Sequence, residues 1–338
     1  MPAPTVGDIG EREVIRRVRR RLPAAPDWLA VGIGDDAAVA RPARNRDEVL
    51  TTDALVEGVH FDRAYVPPEA IGAKALAVNL SDLASMGAEP RLALLSLVLP
   101  ADTTVSDLDS LVGGMLDMAA RHGVTLAGGN VSRSPGPLIV DVTAIGCVKP
   151  RDILLRRGAR PGDGIYVSGA VGAARAGFLS LRGAPGAAPR GEDGLDAARA
   201  RFLAPEPRVR LGLLLARNRV ASACMDSSDG LADAVRGIAD AGGVGAIVEA
   251  DNLPIPGAVR SRFEEEGLDP VAAAVEGGED YELLFTVPRR RRRALAGVLA
   301  RAADVPCARI GSVTRERRLV LRRAGGEGPL PGGFAHFG

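Results

Sequence analysis

Eight carboxylates in this chain stand where ordinary surface acids do not. Asp35, Asp36, Asp53, Asp82, Asp226, Asp229, Glu279 and Asp280 each fall at the end of an expected strand or helix, beside small residues or glycine. Some interrupt apolar stretches, as in Val-Gly-Ile-Gly-Asp-Asp-Ala-Ala-Val (31–39) and Ala-Val-Asn-Leu-Ser-Asp-Leu-Ala (77–84). An acid embedded in such a stretch is costly unless something cationic neutralises it, and these segments contain no Lys or Arg. Oxygen-only ligands favour a hard divalent cation, magnesium above all. Singly, each acid could do less: Asp82 could close a turn, and Asp229, with Ser227 and Ser228, could cap a helix beginning at Leu231. Taken together, the eight read as a site for several metal ions.

Magnesium held by carboxylates commonly bridges protein to polyphosphate oxygens. Glycines at 32, 34, 128, 129, 169, 172, 277 and 278 would let backbone N–H groups approach those oxygens. No Gly-x-x-x-x-Gly-Lys-Ser/Thr loop occurs, and no His-Arg-Asp or Asp-Phe-Gly kinase signature. Gly32-x-Gly34-x-x-Ala37, with Asp53 further on, mimics a dinucleotide fingerprint. That motif needs a helix N-terminus facing the pyrophosphate; here two acids occupy the phosphate position and Pro42 soon breaks any helix.

These residues must be carried by alternating strands and helices. An amphipathic helix from Asp8 to Leu22 opens the chain, with Asp8 and Glu11 as a capping pair. Strands are expected over Trp28–Ile33, Glu48–Thr52, Leu92–Leu99, Val124–Ala127 and Leu138–Val148, and helices over Pro68–Met86 and Val105–His122. The polar stretch Arg151–Asp163 marks a domain boundary. Beyond it come a strand over Gly164–Ser168, a Gly/Pro-rich loop at 183–197, helices near Arg208–Arg217 and Leu231–Ala241, and strands near Val244–Val248 and Leu283–Val287. The expectation is an α/β (α+β) protein of two domains: 1–150, a mixed-sheet metal- and nucleotide-binding domain, and 151–338, an α/β domain completing the ATP and substrate site.

Composition narrows the partners. With 338 residues the prior is two domains at about 150 residues each. Forty-three basic against 42 acidic residues leaves a net charge of +1, which argues against a nucleic-acid partner bound through a basic face. Only Lys74 and Lys149 are lysines; the arginine runs 16–21 and 289–293, in a chain of near-zero net charge, read as solvated helix faces. Cys147, Cys224 and Cys307 are scattered and odd in number, suggesting neither zinc nor a disulfide framework. The longest apolar run, Leu92–Leu99, is far short of a membrane span, and no secretory h-region opens the chain. A soluble, cytoplasmic protein is expected.

The motifs resemble a known family. Gly32-Ile33-Gly34-Asp35-Asp36, Thr51-Thr52-Asp53, Glu57-Gly58-Val59-His60-Phe61, the 79–88 segment Asn-Leu-Ser-Asp-Leu-Ala-Ser-Met-Gly-Ala, Gly128-Gly129-Asn130, Gly162-Asp163, Asp226-Ser227-Ser228-Asp229-Gly230-Leu231 and Gly277-Gly278-Glu279-Asp280-Tyr281-Glu282-Leu283 occur in order. Together they resemble the thiamine-monophosphate kinases, of the ATP-binding superfamily that includes aminoimidazole ribonucleotide synthetase. The match runs from about residue 7 to Phe337. The resemblance implies transfer of the ATP γ-phosphoryl to the phosphate of thiamine monophosphate, magnesium dependence, and a homodimer joined through the N-terminal domains. It implies magnesium on Asp36, Thr51, Thr52, Asp53, Asp82, Asn130, Asp226 and Asp229. ATP would meet Gly129, Asn130, Arg156 and Ser228, and the thiamine substrate His60, Glu279 and Phe334. Two residues depart from the pattern: Asn130 stands where many relatives have Asp, and Phe334 where Tyr or Trp is frequent. The alternatives are a synthetase-type or selenide-activating enzyme of the same superfamily, or a non-catalytic metal- or nucleotide-binding protein. Selenide activation would want a reactive cysteine near the N-terminus, and none precedes Cys147.

Overall fold

Gly10, at φ +74°, breaks the expected first helix in two. A short α1 (Val6–Ile9) is closed by a Thr5–Asp8 capping box, so Asp8 pairs backwards with Thr5 rather than forwards with Glu11. Helix α2 (Glu11–Arg21) then buries Val14 and Val18. In this computed structural model residues 3–182 and 194–333 are described, and they fall into two units, residues 1–83 with 89–149 and residues 84–88 with 150–338. The expected loop at 183–197 lies mostly outside the described residues.

In the first unit β1 (Leu29–Val31) and β2 (Val39–Ala40) form a small antiparallel pair. No helix follows Gly34, which removes the dinucleotide alternative. β3 (Asp47–Val56), β4 (Glu89–Pro100), β5 (Thr125–Ser134) and β6 (Ile139–Val148) form a sheet of order β3-β6-β4-β5. β4 and β5 run parallel, joined through α4 (Val105–His122), and the other pairs are antiparallel. β3 and β5 outrun their expected lengths because their partners continue: β3 matches β6 rung for rung from Asp47–Val148 to Val56–Ile139. α3 (Pro68–Ser85) is buried over most of its length, its polar residues Lys74, Asn79 and Ser81 included.

The second unit is built on a seven-stranded sheet. Its strands are β7 (Gly164–Ser168), β8 (Ala223–Asp226), β9 (Gly245–Glu249), β10 (Leu283–Val287), β11 (Cys307–Thr314), β12 (Leu319–Arg323) and β13 (Gly326–Pro329). The order is β13-β12-β9-β11-β7-β10-β8, with only β12 and β9 parallel. Helices α5 (Ala173–Arg182), α6 (Asp196–Leu203), α7 (Val209–Arg217), α8 (Leu231–Gly242), α9 (Gly257–Glu265), α10 (Pro270–Glu276) and α11 (Arg292–Arg301) accompany it. Its core joins Ile165 and Val167 of β7 and Leu284 of β10 to Val235 and Ile238 of α8 and Phe263 of α9.

Candidate functional site

Strand pleating sorts the expected ligands of the first unit. The Thr51 hydroxyl donates to Asp82 Oδ2 at 2.5 Å, so Thr51 faces α3. Successive strand residues point to opposite faces, which puts Asp53 on the same side as Thr51 and Thr52 on the other. Thr52 is paired with Thr143 of β6, its hydroxyl 3.0 Å from that of Thr143 and 3.2 Å from Asp141 Oδ1. Asn130 sits on that second side, two rungs along, since Ser96 of β4 pairs with both Asn130 and Asp141. The Asn130 amide nitrogen donates to Ser132, leaving its carbonyl oxygen as the outward acceptor. Asp141 escaped the sequence reading; its signal is the run of partly exposed polar positions 141 and 143 in a strand whose alternate residues are buried.

Gly129 is required by sterics. A Cβ there would lie 1.8 Å from the Leu95 carbonyl oxygen, so the β5 backbone passes β4 where no side chain fits. Asp36 is exposed in the turn after β1, its N–H bonded to Asp35 Oδ1. The Arg19 side chain of α2 lies over this turn, close enough that a Cβ on Gly34 would meet Nη1 at 2.8 Å. The turn thus has a cation nearby that its own sequence lacks. His60 is held in the loop after β3, where Nδ1 accepts the Val56 N–H at 3.0 Å. That bond makes the neutral ring an Nε2–H donor.

In the second unit β8 ends at Asp226, which is buried and paired with Leu283 of β10. The turn 227–230 leads into α8 and receives the loop before β10. Ser227 N–H donates to the Glu282 carbonyl, Glu282 N–H to Ser227 Oγ, and Glu279 N–H to the Ser228 carbonyl at 2.6 Å. A Cβ on Gly278 would come within 2.7 Å of that same carbonyl. Ser228 and Glu279 are therefore neighbours, with Asp226 and Asp229 two and one residues from the contact. Arg156 is exposed on the segment leading to β7. The backbone of Gly333 lies against Asp229 and Asp233; Phe334 lies outside the described residues.

One of the eight acids has another role. Asp280 is 2% exposed and accepts the N–H groups of Gly172 and Ala174 at 2.6 and 2.8 Å, capping α5 from afar. Burial pushes its pKa up to about 7, against the pull of those two N–H groups. Asp280 thus leaves the expected cation-bound set: a helix N-terminus, not a metal, is its partner. Among the described residues, no group of three or more His, Cys, Asp or Glu side chains is gathered closely enough to hold a metal ion. The donor chemistry still fits magnesium, because the candidates offer carboxylate, hydroxyl and amide oxygens only.

Family comparison settles the membership. The model for the AIR synthase related protein N-terminal domain matches residues 34–148, and that for the C-terminal domain residues 160–323. The chain is 38% identical to the thiamine-monophosphate kinase of Synechococcus elongatus over 340 residues, 98% of each chain. It belongs to the thiamine-monophosphate kinase family. The crystal structure of the thiamine-monophosphate kinase of Stenotrophomonas maltophilia K279a superposes with a TM-score of 0.80 at 38% identity, over 92% of this chain and 94% of that one. AaThiL complexed with AMPPCP and TMP gives 0.76 at 32% identity, over 98% and 97%. The expected fold class, α/β with two such domains, is therefore the fold of the thiamine-monophosphate kinases.

Proposed function

We propose that this protein transfers the γ-phosphoryl group of ATP to the phosphate of thiamine monophosphate, giving thiamine diphosphate and ADP. The observation that carries the reading is the 38% identity with a thiamine-monophosphate kinase over 98% of both chains. A solved relative bound to AMPPCP and TMP supports it.

The acceptor phosphate has a second pKa of about 6 and is largely dianionic at neutral pH, so no general base is needed. The obstacle is bringing two anions into line. Magnesium would supply the positive charge that offsets that repulsion. We assign it to Asp36, Thr51, Thr52, Asp53, Asp82, Asn130, Asp226 and Asp229. Thr51 orients the Asp82 carboxylate. Gly129 lets the backbone come close to ATP, alongside Asn130, Arg156 and Ser228. His60, presenting Nε2–H, and Glu279 would meet the acceptor, with Phe334 against a thiamine ring.

We assign nucleotide and metal binding with dimerisation to 1–150, and completion of the ATP and substrate site to 151–338. A homodimer through the N-terminal half is supported by the open face of the four-stranded sheet, where Leu50 is 63% exposed. No helix among the described residues is long and apolar enough to cross a membrane; the cytoplasm is our assignment. The deciding assay incubates pure protein with ATP, magnesium and thiamine monophosphate, and reads thiamine diphosphate by thiochrome fluorescence. Product from thiamine monophosphate but not from free thiamine is expected; no product from folded protein would overturn the reading.

A further inference from the structure

Four charged side chains of the second unit play no part in the reaction as proposed, yet enclose the segment that carries Glu279. Glu282, fully buried, receives Nε and Nη2 of Arg208 at 2.7 and 2.5 Å, Nη2 of Arg201 at 3.1 Å and the Ser168 hydroxyl at 2.5 Å. Ser168 Oγ also accepts the Leu283 N–H. Two residues earlier, Asp280 is bound to the N-terminus of α5. The residues that alternate with these anchors, Glu279 and Tyr281, have φ of +69° and +50°. Neither is glycine, so each sits in a left-handed conformation that persists only where the surroundings over-determine it.

A buried ion pair is weak evidence for stability, since desolvation offsets much of the attraction; its better-attested use is to impose one geometry. Here the imposed geometry is that of the 279–281 turn. We propose that Arg208 and Glu282 are positioning residues for the acceptor substrate, acting through Glu279. They pin the downstream end of the turn while Asp280 pins its centre, so that the Glu279 backbone is held against Ser228. The inference rests on the reading that Glu279 contacts the acceptor. It adds Arg208, just before α7, and Glu282, just before β10, to the determinants of acceptor affinity.

Arg208→Lys keeps the charge and removes the two-pronged contact. It is expected to raise KM for thiamine monophosphate about tenfold, the scale of one weakened charge-assisted hydrogen bond, with KM for ATP within about twofold. In a Glu279→Ala background the same substitution is expected to leave the acceptor KM unchanged, because the group it positions is gone. Multiplying effects in the double variant, or an equal rise in both KM values, would overturn the proposal. If Glu279→Ala alone leaves the acceptor KM unaltered, the assignment beneath it is wrong and the proposal falls with it. Should Arg208→Lys not fold, Ser168→Ala removes one bond to Glu282 and is read in the same double-variant design.

Discussion

Thr51 and Asp82, one on a strand and one on a buried helix, meet through a 2.5 Å hydrogen bond in which the hydroxyl donates to the carboxylate. The bond fixes Asp82 without neutralising it, which suits a carboxylate that serves a cation. Asp82→Asn and Asp53→Asn are each expected to lower kcat/KM by more than about 100-fold. Their Tm in excess EDTA is expected to stay within a few degrees of the parent. A variant that fails to fold would mark that residue as structural.

Adjacent glycines at 128 and 129 predict opposite outcomes. A Cβ at 129 would meet the Leu95 carbonyl at 1.8 Å, whereas at 128 the nearest atom is the movable Leu94 Cδ2 at 3.3 Å. Gly129→Ala is expected to cost at least about 2 kcal/mol in urea unfolding, and Gly128→Ala less than about 1 kcal/mol. Similar losses for the two would contradict the strand geometry.

Legibility in the sequence follows how local each signal is. The helical spacing of apolar residues in α3 and the apolar strand Gly164–Ser168 were readable because they depend on neighbours in the chain. The end of β3 was not: Thr52 and Asp53 look like a stop, and only the β6 ladder carries the strand on to Val56. The candidate site was legible as motifs, whereas the separate role of Asp280 was hidden. Beside its glycines it looks like Asp226, and only the arrival of α5 tells the two apart. Glu282 was likewise opaque, since its arginines come from positions 201 and 208.

Asp280 also gives the protein a pH signature. Its carboxyl is raised from 3.8 in the unfolded reference to about 7 by burial, with Glu282 adding to the rise and Arg201 opposing it. The folded state therefore holds the proton more tightly. The stabilisation is complete below about pH 4 and is lost as pH climbs through about 7. Unfolding free energy measured from pH 4 to 7 is expected to fall in the parent relative to Asp280→Asn; parallel curves would reject this.

Asp269 predicts the opposite slope. The Arg323 guanidinium and the Ala272 N–H hold its carboxyl down to about 2, and it caps α10. Its contribution is present above 3.8 and fades as pH falls through about 2. Asp269→Ala is expected to cost about 1 kcal/mol at neutral pH, and less in acid. A loss that is the same at pH 2 and pH 7 would show that the ionised cap does not matter.

The unbroken ten-rung match of β3 to β6 makes the first unit intolerant of frameshifts in space. Deleting one residue between positions 47 and 50 would slide the strand by a single step and exchange the directions of Thr52 and Asp53 together. Length variation among related chains should accordingly collect in the turns flanking this ribbon, at 41–46 and 57–67, and be absent from the ribbon itself.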